Sequence, residues 1–325
     1  MLTLQRAQAF DPAPRQDELH VYHVPFDELA RGAGAELALA RAIRSSERVA
    51  VIGRGGQGKS SLIAYVTRPL EAGIAPIRVP IFAESDETVR EPKAFVQHVI
   101  RTVTKYATES GLISPEHREA SLRASSDRVR ILGEEVEHTR SAAEVIEAAE
   151  ELVAAVASHD LLPVVVLDDT DGWLKAAGAD KSSLVEAFFG RVIRIFADFP
   201  CALIVAVHED YLALPGFREA EGFLETSVTI PRLDGRVEQA LARILEQRMR
   251  THGVAVPVTD VFHKGALVAL ADYYRATGGN LRKVIWIAHV ALQHGCADRA
   301  EVVTRKYIDA AIAEAQSAPT RRTQT

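Results

Sequence analysis

The sequence has little of what disulfide-built, zinc-rich and membrane proteins depend on. It holds two cysteines, Cys201 and Cys296, which are too few for a disulfide framework or a cysteine-rich zinc fold. Its longest apolar runs, 161–167 and 202–207, fall well short of the ~20 residues that a membrane span needs. The N-terminus lacks a basic start followed by a continuous apolar segment, so we predict no signal peptide, no membrane partner and a cytoplasmic protein.

An excess of positive charge is missing too. The 38 Lys and Arg residues and 44 Asp and Glu residues give a net charge of −6, which excludes a histone-like polycation but leaves room for a local basic patch. Hydrophobic residues make up 47% of the 325, enough for a real core, and at ~150 residues per domain about two domains are expected. No HExxH or paired His/Cys spacing occurs, and we expect His20 and His23 to be solvated loop residues.

Apolar runs of strand length alternate with helical patterns as far as Pro231. We predict strands at 48–52, 77–82, 161–167, 201–207 and 227–230, with helices between them. This alternation predicts the α/β fold class, a parallel sheet sandwiched by helices. Helical patterns alone follow Pro231 and predict a second, all-α domain. The predicted domains are a loose segment at 1–20, an α/β domain at 21–231 with a helical stretch at 111–160, a helical domain at 232–316 and a tail at 317–325.

One motif carries specific chemistry. The segment GRGGQGKS at 53–60 matches G-x-x-x-x-G-K-[ST] at every fixed position, between a predicted strand and a predicted helix. Its glycines let backbone N–H groups point at phosphate oxygens, and the helix that follows presents its positive dipole end to the same anion. Lys59 is expected to reach the β- and γ-phosphates and the Ser60 hydroxyl to coordinate Mg²⁺. The predicted phosphate-binding residues are Gly53, Gly55, Gly56, Gln57, Gly58, Lys59, Ser60 and Ser61.

A nucleotide site of this kind also needs an acid for the metal. The apolar run at 161–167 is followed directly by Asp168 and Asp169. We predict that Asp168 holds the Mg²⁺ shell and that Asp169 polarises the attacking water. A solvated acidic turn after a core strand is the alternative.

These motifs resemble those of the AAA+ and STAND P-loop ATPases. Within them, the chain is most similar to the initiator-type branch, which includes origin-recognition, replication-initiator and transposition-regulator ATPases. Besides the P-loop, VLDDTD at 166–171 resembles the branch's extended second acidic motif, and TGGNLRK at 277–283 resembles its GGN-x-R second sensor, which opens a lid helix. The segment VYHVPFDEL at 21–29 stands where the family places a segment against the adenine. The resemblance spans roughly residues 20–316.

The resemblance implies further site residues. Arg282 would be the second sensor, reaching from the lid to the γ-phosphate. His208 ends the fourth predicted strand, where the family keeps a polar first sensor, usually Asn, Thr or Asp; a plainly structural histidine is the alternative. Arg218 matches the location of an arginine finger acting in trans, and Arg232 competes for that role.

The resemblance also implies ATP and Mg²⁺ as cofactors and an ATPase that works as a nucleotide switch. Many family members have Glu at the position of Asp169, and STAND proteins with an Asp-Asp pair act as slow switches, so we expect slow turnover. Expected partners are a second copy of the chain on ATP binding, DNA, and a separate DNA-acting or effector protein, in replication, transposition or defence. We expect the length to leave no room for a winged-helix domain. The alternative is a nucleotide-binding regulatory module with little turnover, while a small-molecule kinase is disfavoured by the GGNLR segment.

Overall fold

The computed structural model describes the chain apart from residues 13, 15, 31–33, 69–72, 82–85, 127, 132–133, 138–139, 169, 171–179, 234 and 318–325. The chain divides into two compact units. We call Leu37–Arg54 with Thr67–Thr229 the sheet unit, and Met1–Glu36, Gly55–Val66 and Ile230–Thr325 the helical unit. The domain limits expected from the sequence stay a prediction.

A parallel sheet of five strands organises the described part of the sheet unit. Its strands are β1 (Arg48–Ile52), β2 (Ile74–Pro80), β5 (Leu162–Asp168), β6 (Ala202–Val207) and β7 (Thr226–Thr229), in the spatial order β2-β5-β6-β1-β7. Every residue of β6 is buried, as is most of β1 and β5, which explains their unbroken apolar sequences. The predicted strand at 77–82 begins earlier, at Ile74, because Pro76 and Pro80 hide it in the sequence; as an edge strand, β2 tolerates them.

Helices surround this sheet. In the sheet unit they are α3 (Ala35–Arg44, which begins in the helical unit), α5 (Asp86–Arg90), α6 (Pro92–Glu109), α7 (Pro115–Ala124), α8 (Ala142–Ala157), α9 (Asp180–Gly190) and α10 (Pro215–Ala220), with 3-10 turns at Val192–Ala197 and Glu209–Tyr211. Fully buried aromatic rings pack between these helices. The ring centroids of Phe95 and Phe188 lie 5.5 Å apart, and those of Phe188 and Phe189 lie 5.2 Å apart, both pairs edge to face. Each such ring contributes about 2–3 kcal/mol by burial.

The stretch at 111–160 is not helical throughout, contrary to prediction. Between α7 and α8 the backbone forms an antiparallel hairpin of β3 (Arg128–Ile131) and β4 (Glu134–Glu137), paired from Arg128–Glu137 to Ile131–Glu134. Five of the eight residues in these two strands are charged, so the sequence offers no apolar run of strand length there. The helix that follows starts sharply, because Ser141 and Glu144 form a reciprocal capping box.

The helical unit gathers segments from three places in the sequence. Its helices are α1 (Leu2–Arg6), α2 (Phe26–Leu29), α4 (Lys59–Val66), α11 (Val237–Thr251), α12 (Lys264–Ala276), α13 (Leu281–Ala297) and α14 (Arg305–Ser317), with 3-10 turns at Gln16–Tyr22 and Val258–Asp260. The helical patterns after Pro231 predict four helices, at 234–252, 262–277, 281–295 and 304–316, and all four form within three residues of these limits. No helix in the described part of the chain is long and apolar enough to cross a membrane.

Residues 1–11 are packed within the helical unit, which corrects the prediction of a loose segment at 1–20 for this part of it. Leu4 and Phe10 are 1% and 0% exposed, and the Phe10 ring packs edge to face against Phe262 at 5.5 Å. The guanidinium of Arg248, on α11, donates to the carbonyl oxygens of Asp11 at 2.8 Å and Ala9 at 3.4 Å. A few buried apolar residues therefore anchor this segment, together with one arginine that is distant in the sequence. These apolar residues are too few to form a periodic pattern.

Candidate functional site

One edge of the sheet collects three of the predicted site residues. In the parallel register Ile52 lies opposite Val207, and Leu167 lies opposite Val205. Gly53 follows β1, Asp168 ends β5, and His208 follows β6, so all three lie at the carboxyl edge of neighbouring strands. Ligands of open α/β sheets bind outside this edge.

The end of β5 is held by buried hydrogen bonds. Thr170, which is fully buried, donates its hydroxyl to the Ala206 carbonyl at 2.5 Å, and Tyr211 donates its hydroxyl to the Thr170 carbonyl at 2.7 Å. Asp168 is 5% exposed. Asp169 lies outside the described residues.

His208 has a defined orientation. The backbone N–H of Asp210 donates to His208 Nδ1 at 3.2 Å, and the side chain is 9% exposed. An accepting Nδ1 puts the proton of the neutral ring on Nε2. The ring is therefore held in one orientation at the carboxyl edge of the sheet.

The start of the P-loop is fastened to the segment after β6. The Gly53 N–H donates to the Val207 carbonyl at 3.1 Å, and the Arg54 guanidinium forms an ion pair with Glu209. Both side chains of this pair are partly exposed, so the pair contributes at most about 1 kcal/mol.

The rest of the P-loop belongs to the helical unit, where it opens α4. Gly56 and Gly58 have φ angles of +76° and +109°, which favour glycine. The first turn of α4 holds no acid, Lys59 is 6% exposed, and Ser60 and Ser61 are half-buried. The helix therefore begins with an anion-attracting end, as the motif predicts.

The turn that precedes α13 explains the GGN sequence. Gly278 and Gly279 follow α12 with φ angles of +66° and +88°, and their N–H groups bond to the carbonyls of Arg275 and Tyr274. This is a Schellman ending, which favours glycine. Asn280 then caps α13 by accepting the Lys283 N–H at 2.9 Å. Arg282 lies in the first turn of α13 and is exposed.

A buried histidine joins the N-terminal segment to α4, where we expected a solvated one. His23 is 7% exposed; its Nδ1 lies 3.1 Å from Ser61 Oγ and its Nε2 lies 3.0 Å from Glu36 Oε1. Glu36 Oε1 also accepts the Phe26 N–H at 2.7 Å. The His23 ring packs on Tyr65 at 4.6 Å. The histidine thus bridges a carboxylate and the helix that carries the P-loop.

This arrangement predicts an acid sensitivity. Burial raises the pKa of Glu36, but hydrogen bonds from His23 and the Phe26 N–H outweigh it, so the pKa lies below its ordinary 4.5. A carboxyl group whose pKa is lower in the folded state than in the unfolded state stabilises the fold at pH values above the unfolded-state pKa. This stabilisation is lost as the pH falls through the folded-state pKa. We expect Glu36→Gln to flatten the fall of unfolding free energy below about pH 4.5, measured by urea denaturation from pH 7 to pH 3. Glu151→Gln, at an exposed site on α8, should keep the wild-type profile, and a wild-type profile in Glu36→Gln would contradict the assignment.

The two finger candidates occupy unremarkable places. Arg218 is exposed on α10, and Arg232 is exposed in the segment after β7. Neither position distinguishes them as groups acting in trans.

The residues present suit Mg²⁺ by their donor chemistry. Ser60 offers a hydroxyl oxygen and Asp168 a carboxylate, and hard oxygen ligands of this kind are what Mg²⁺ prefers. Among the residues that the structure describes, no group of three or more His, Cys, Asp or Glu side chains could hold a metal ion.

No protein-family model and no curated protein matches the sequence. Solved structures do match. The Orc1 protein of Aeropyrum pernix in complex with DNA is 18% identical with a TM-score of 0.56, over 93% of this chain and 69% of that one. The ORC2 protein of A. pernix in its ADPNP-ADP complexes is 18% identical with a TM-score of 0.53, over 92% and 72%. Cdc6p from Pyrobaculum aerophilum is 16% identical with a TM-score of 0.54, over 94% and 70%.

The predicted fold class is thereby confirmed, and so is the resemblance at the level of fold. The described strands give the parallel sheet with its surrounding helices, and the likeness extends through the helices after Pro231. The chain shares its fold with these Orc1, ORC2 and Cdc6p structures.

Proposed function

We propose that the chain binds ATP with Mg²⁺ and hydrolyses it slowly, as a nucleotide switch in a DNA-related process. The observation that carries the proposal is the P-loop. A complete GxxxxGKS sequence follows a buried parallel strand, opens a helix and has left-handed glycines at Gly56 and Gly58. Backbone N–H groups arranged in this way bind phosphate.

Each site residue has a role in this proposal. Lys59 grips the β- and γ-phosphates, Ser60 and Asp168 hold the metal, and Asp169 accepts a proton from the attacking water. Mg²⁺, when bound, neutralises charge on the phosphate oxygens. His208 donates from Nε2 to orient the water or the γ-phosphate. Aspartate at 169 has a shorter reach than glutamate, which supports slow turnover.

The switch depends on a second grip. Arg282 contacts the γ-phosphate in the ATP state, so hydrolysis removes a contact from α13 and favours a different state. ATP also favours assembly with a second copy, which places Arg218, or alternatively Arg232, at the neighbour's phosphate.

The DNA-related setting rests on the fold neighbours. The A. pernix Orc1 protein was solved with DNA, and the ORC2 protein with ADPNP and ADP. We propose that this chain also binds nucleotide and DNA. We place it in the cytoplasm, where it acts with a separate DNA-acting or effector protein. Replication is the setting that these neighbours favour, whereas transposition and defence are further settings of the same switch.

The hydrolytic role is tested at Asp169. We expect Asp169→Asn to lower phosphate release at least about 100-fold, because an amide cannot accept the water's proton. Binding of a fluorescent ATP analogue should stay within about threefold of wild type, since ground-state contacts are kept. Equal phosphate release in the two proteins would remove Asp169 from the mechanism. Wild-type binding without measurable release would instead favour the regulatory-module alternative.

Assembly is tested by light scattering after size exclusion, with and without ATP and duplex DNA. A mass that rises only with ATP supports the switch and gives Arg218 a place to act. A monomer under all four conditions contradicts assembly and removes the finger assignment.

A further inference from the structure

The turn at 278–280 packs directly against the P-loop. A Cβ atom placed on Gly279 would lie 3.2 Å from the Tyr274 hydroxyl and 3.5 Å from Gln57 Nε2. Gln57 is 5% exposed. The second glycine of this turn therefore permits a close approach to the P-loop, in addition to its left-handed φ angle.

Asn280 meets the P-loop at its central glycine. A Cβ atom on Gly56 would lie 2.3 Å from Asn280 Oδ1 and 2.9 Å from its Cγ, distances that real Cβ atoms do not adopt. The amide group of Asn280 thus occupies the space that any side chain at position 56 would need. The same Oδ1 accepts the Lys283 N–H, so one side chain both caps α13 and rests on the P-loop.

The backbone of Arg282 completes the contact. Its N–H is one of the first-turn donors that a helix leaves without an internal partner, and it donates to the Gly56 carbonyl at 3.3 Å. Arg282 Cβ lies 3.1 Å from the Cβ position of Gly56. The base of the Arg282 side chain is consequently fixed on the P-loop, while its guanidinium is exposed.

We propose that Asn280 is a positioning residue that sets the preference for ATP over ADP by holding the first turn of α13 on Gly56. The inference rests on the proposed function. Because the first turn of α13 is held, the base of the Arg282 side chain is already in place when the guanidinium meets the terminal phosphate, which ATP has and ADP lacks. A turn that is held beforehand loses no further freedom at that step, which favours the binding of ATP. Asn280 therefore acts through Arg282 and should leave the remainder of the phosphate cradle unaffected.

A double-mutant cycle tests this. Dissociation constants for fluorescent ATP and ADP analogues are measured for wild type, Asn280→Ser, Arg282→Ala and the double variant. Serine also caps helices well, so Asn280→Ser keeps the cap and loses the amide that fills the space beside Gly56. We expect the ATP preference to fall about 10-fold in Arg282→Ala and about 5-fold in Asn280→Ser, with the double variant no lower than Arg282→Ala alone.

Ser141→Ala, which removes the cap of α8, is the matched control. It should lower Tm without changing the ratio of the two dissociation constants. An unchanged ratio in Asn280→Ser, additive losses in the double variant, or an equal loss in Ser141→Ala would each overturn the assignment while leaving ATP binding intact. If wild type and Lys59→Ala bind ATP equally weakly, the proposed function itself fails, and this inference fails with it.

Discussion

Lys59→Ala is expected to weaken ATP binding about 100-fold, equivalent to about 2.8 kcal/mol. The lysine follows the last glycine of the P-loop and opens α4, and it is 6% exposed, so its ammonium is held in place before the nucleotide arrives. Charge-assisted contacts of a pre-oriented ammonium to phosphate exceed ordinary hydrogen bonds. Isothermal titration with ATP and Mg²⁺ measures the loss.

Lys105→Ala provides the comparison. This lysine is exposed on α6 in the sheet unit, and its removal changes the net charge by the same amount. The affinity of Lys105→Ala for ATP should match that of the wild-type protein. Equal losses in the two variants would show that binding follows overall charge rather than the P-loop.

Arg248→Ala is expected to lower the free energy of unfolding by about 3 kcal/mol. The guanidinium is buried, donates to two backbone carbonyls of the N-terminal segment and lies 4.7 Å over the Tyr22 ring. Burial lowers the pKa of Arg248 to about 10, so at neutral pH it is still charged and still donates. Truncation leaves the carbonyls of Ala9 and Asp11 without this donor and opens a cavity. Urea denaturation at pH 7 measures the change.

Arg250→Ala separates this effect from the loss of any arginine on α11. Arg250 lies two residues further along the same helix and is exposed. Its removal should cost less than about 0.5 kcal/mol, as surface substitutions do. If Arg248→Ala were equally mild, the N-terminal segment would be held by its apolar residues alone.

Elements with continuous apolar sequences could be predicted closely. β1 has the limits expected from sequence and β6 begins one residue after its expected start; both are legible because burial on both faces demands an unbroken apolar run. The P-loop could be predicted equally well, because its chemistry depends on residues at fixed spacing within a segment of eight. Both features depend on residues that are close together in the chain, so a single sequence is enough to recognise them.

Contacts between distant residues could not be predicted. His23 becomes a buried bridge only because Glu36 and Ser61 arrive from other parts of the chain. Thr170 is polar yet fully buried, since its hydroxyl finds the Ala206 carbonyl on the neighbouring strand. Asn280 reads as a helix cap, but its contact with Gly56 depends on the fold. In each case the partner lies at least 13 residues away, beyond any periodic pattern.

The helical unit is built from three separate segments of the sequence, and this affects the order in which the chain folds. Helix α4 contacts residues near the N-terminus, and the P-loop that precedes it contacts the turn at 278–280, so their full set of neighbours is complete only after some 280 residues have been synthesised. Closing such long loops costs entropy before the contacts repay it. The sheet unit, which apart from Gly55–Val66 is continuous from Leu37 to Thr229, can collapse on its own core first. The P-loop is thus among the last parts of the molecule to gain its full set of neighbours.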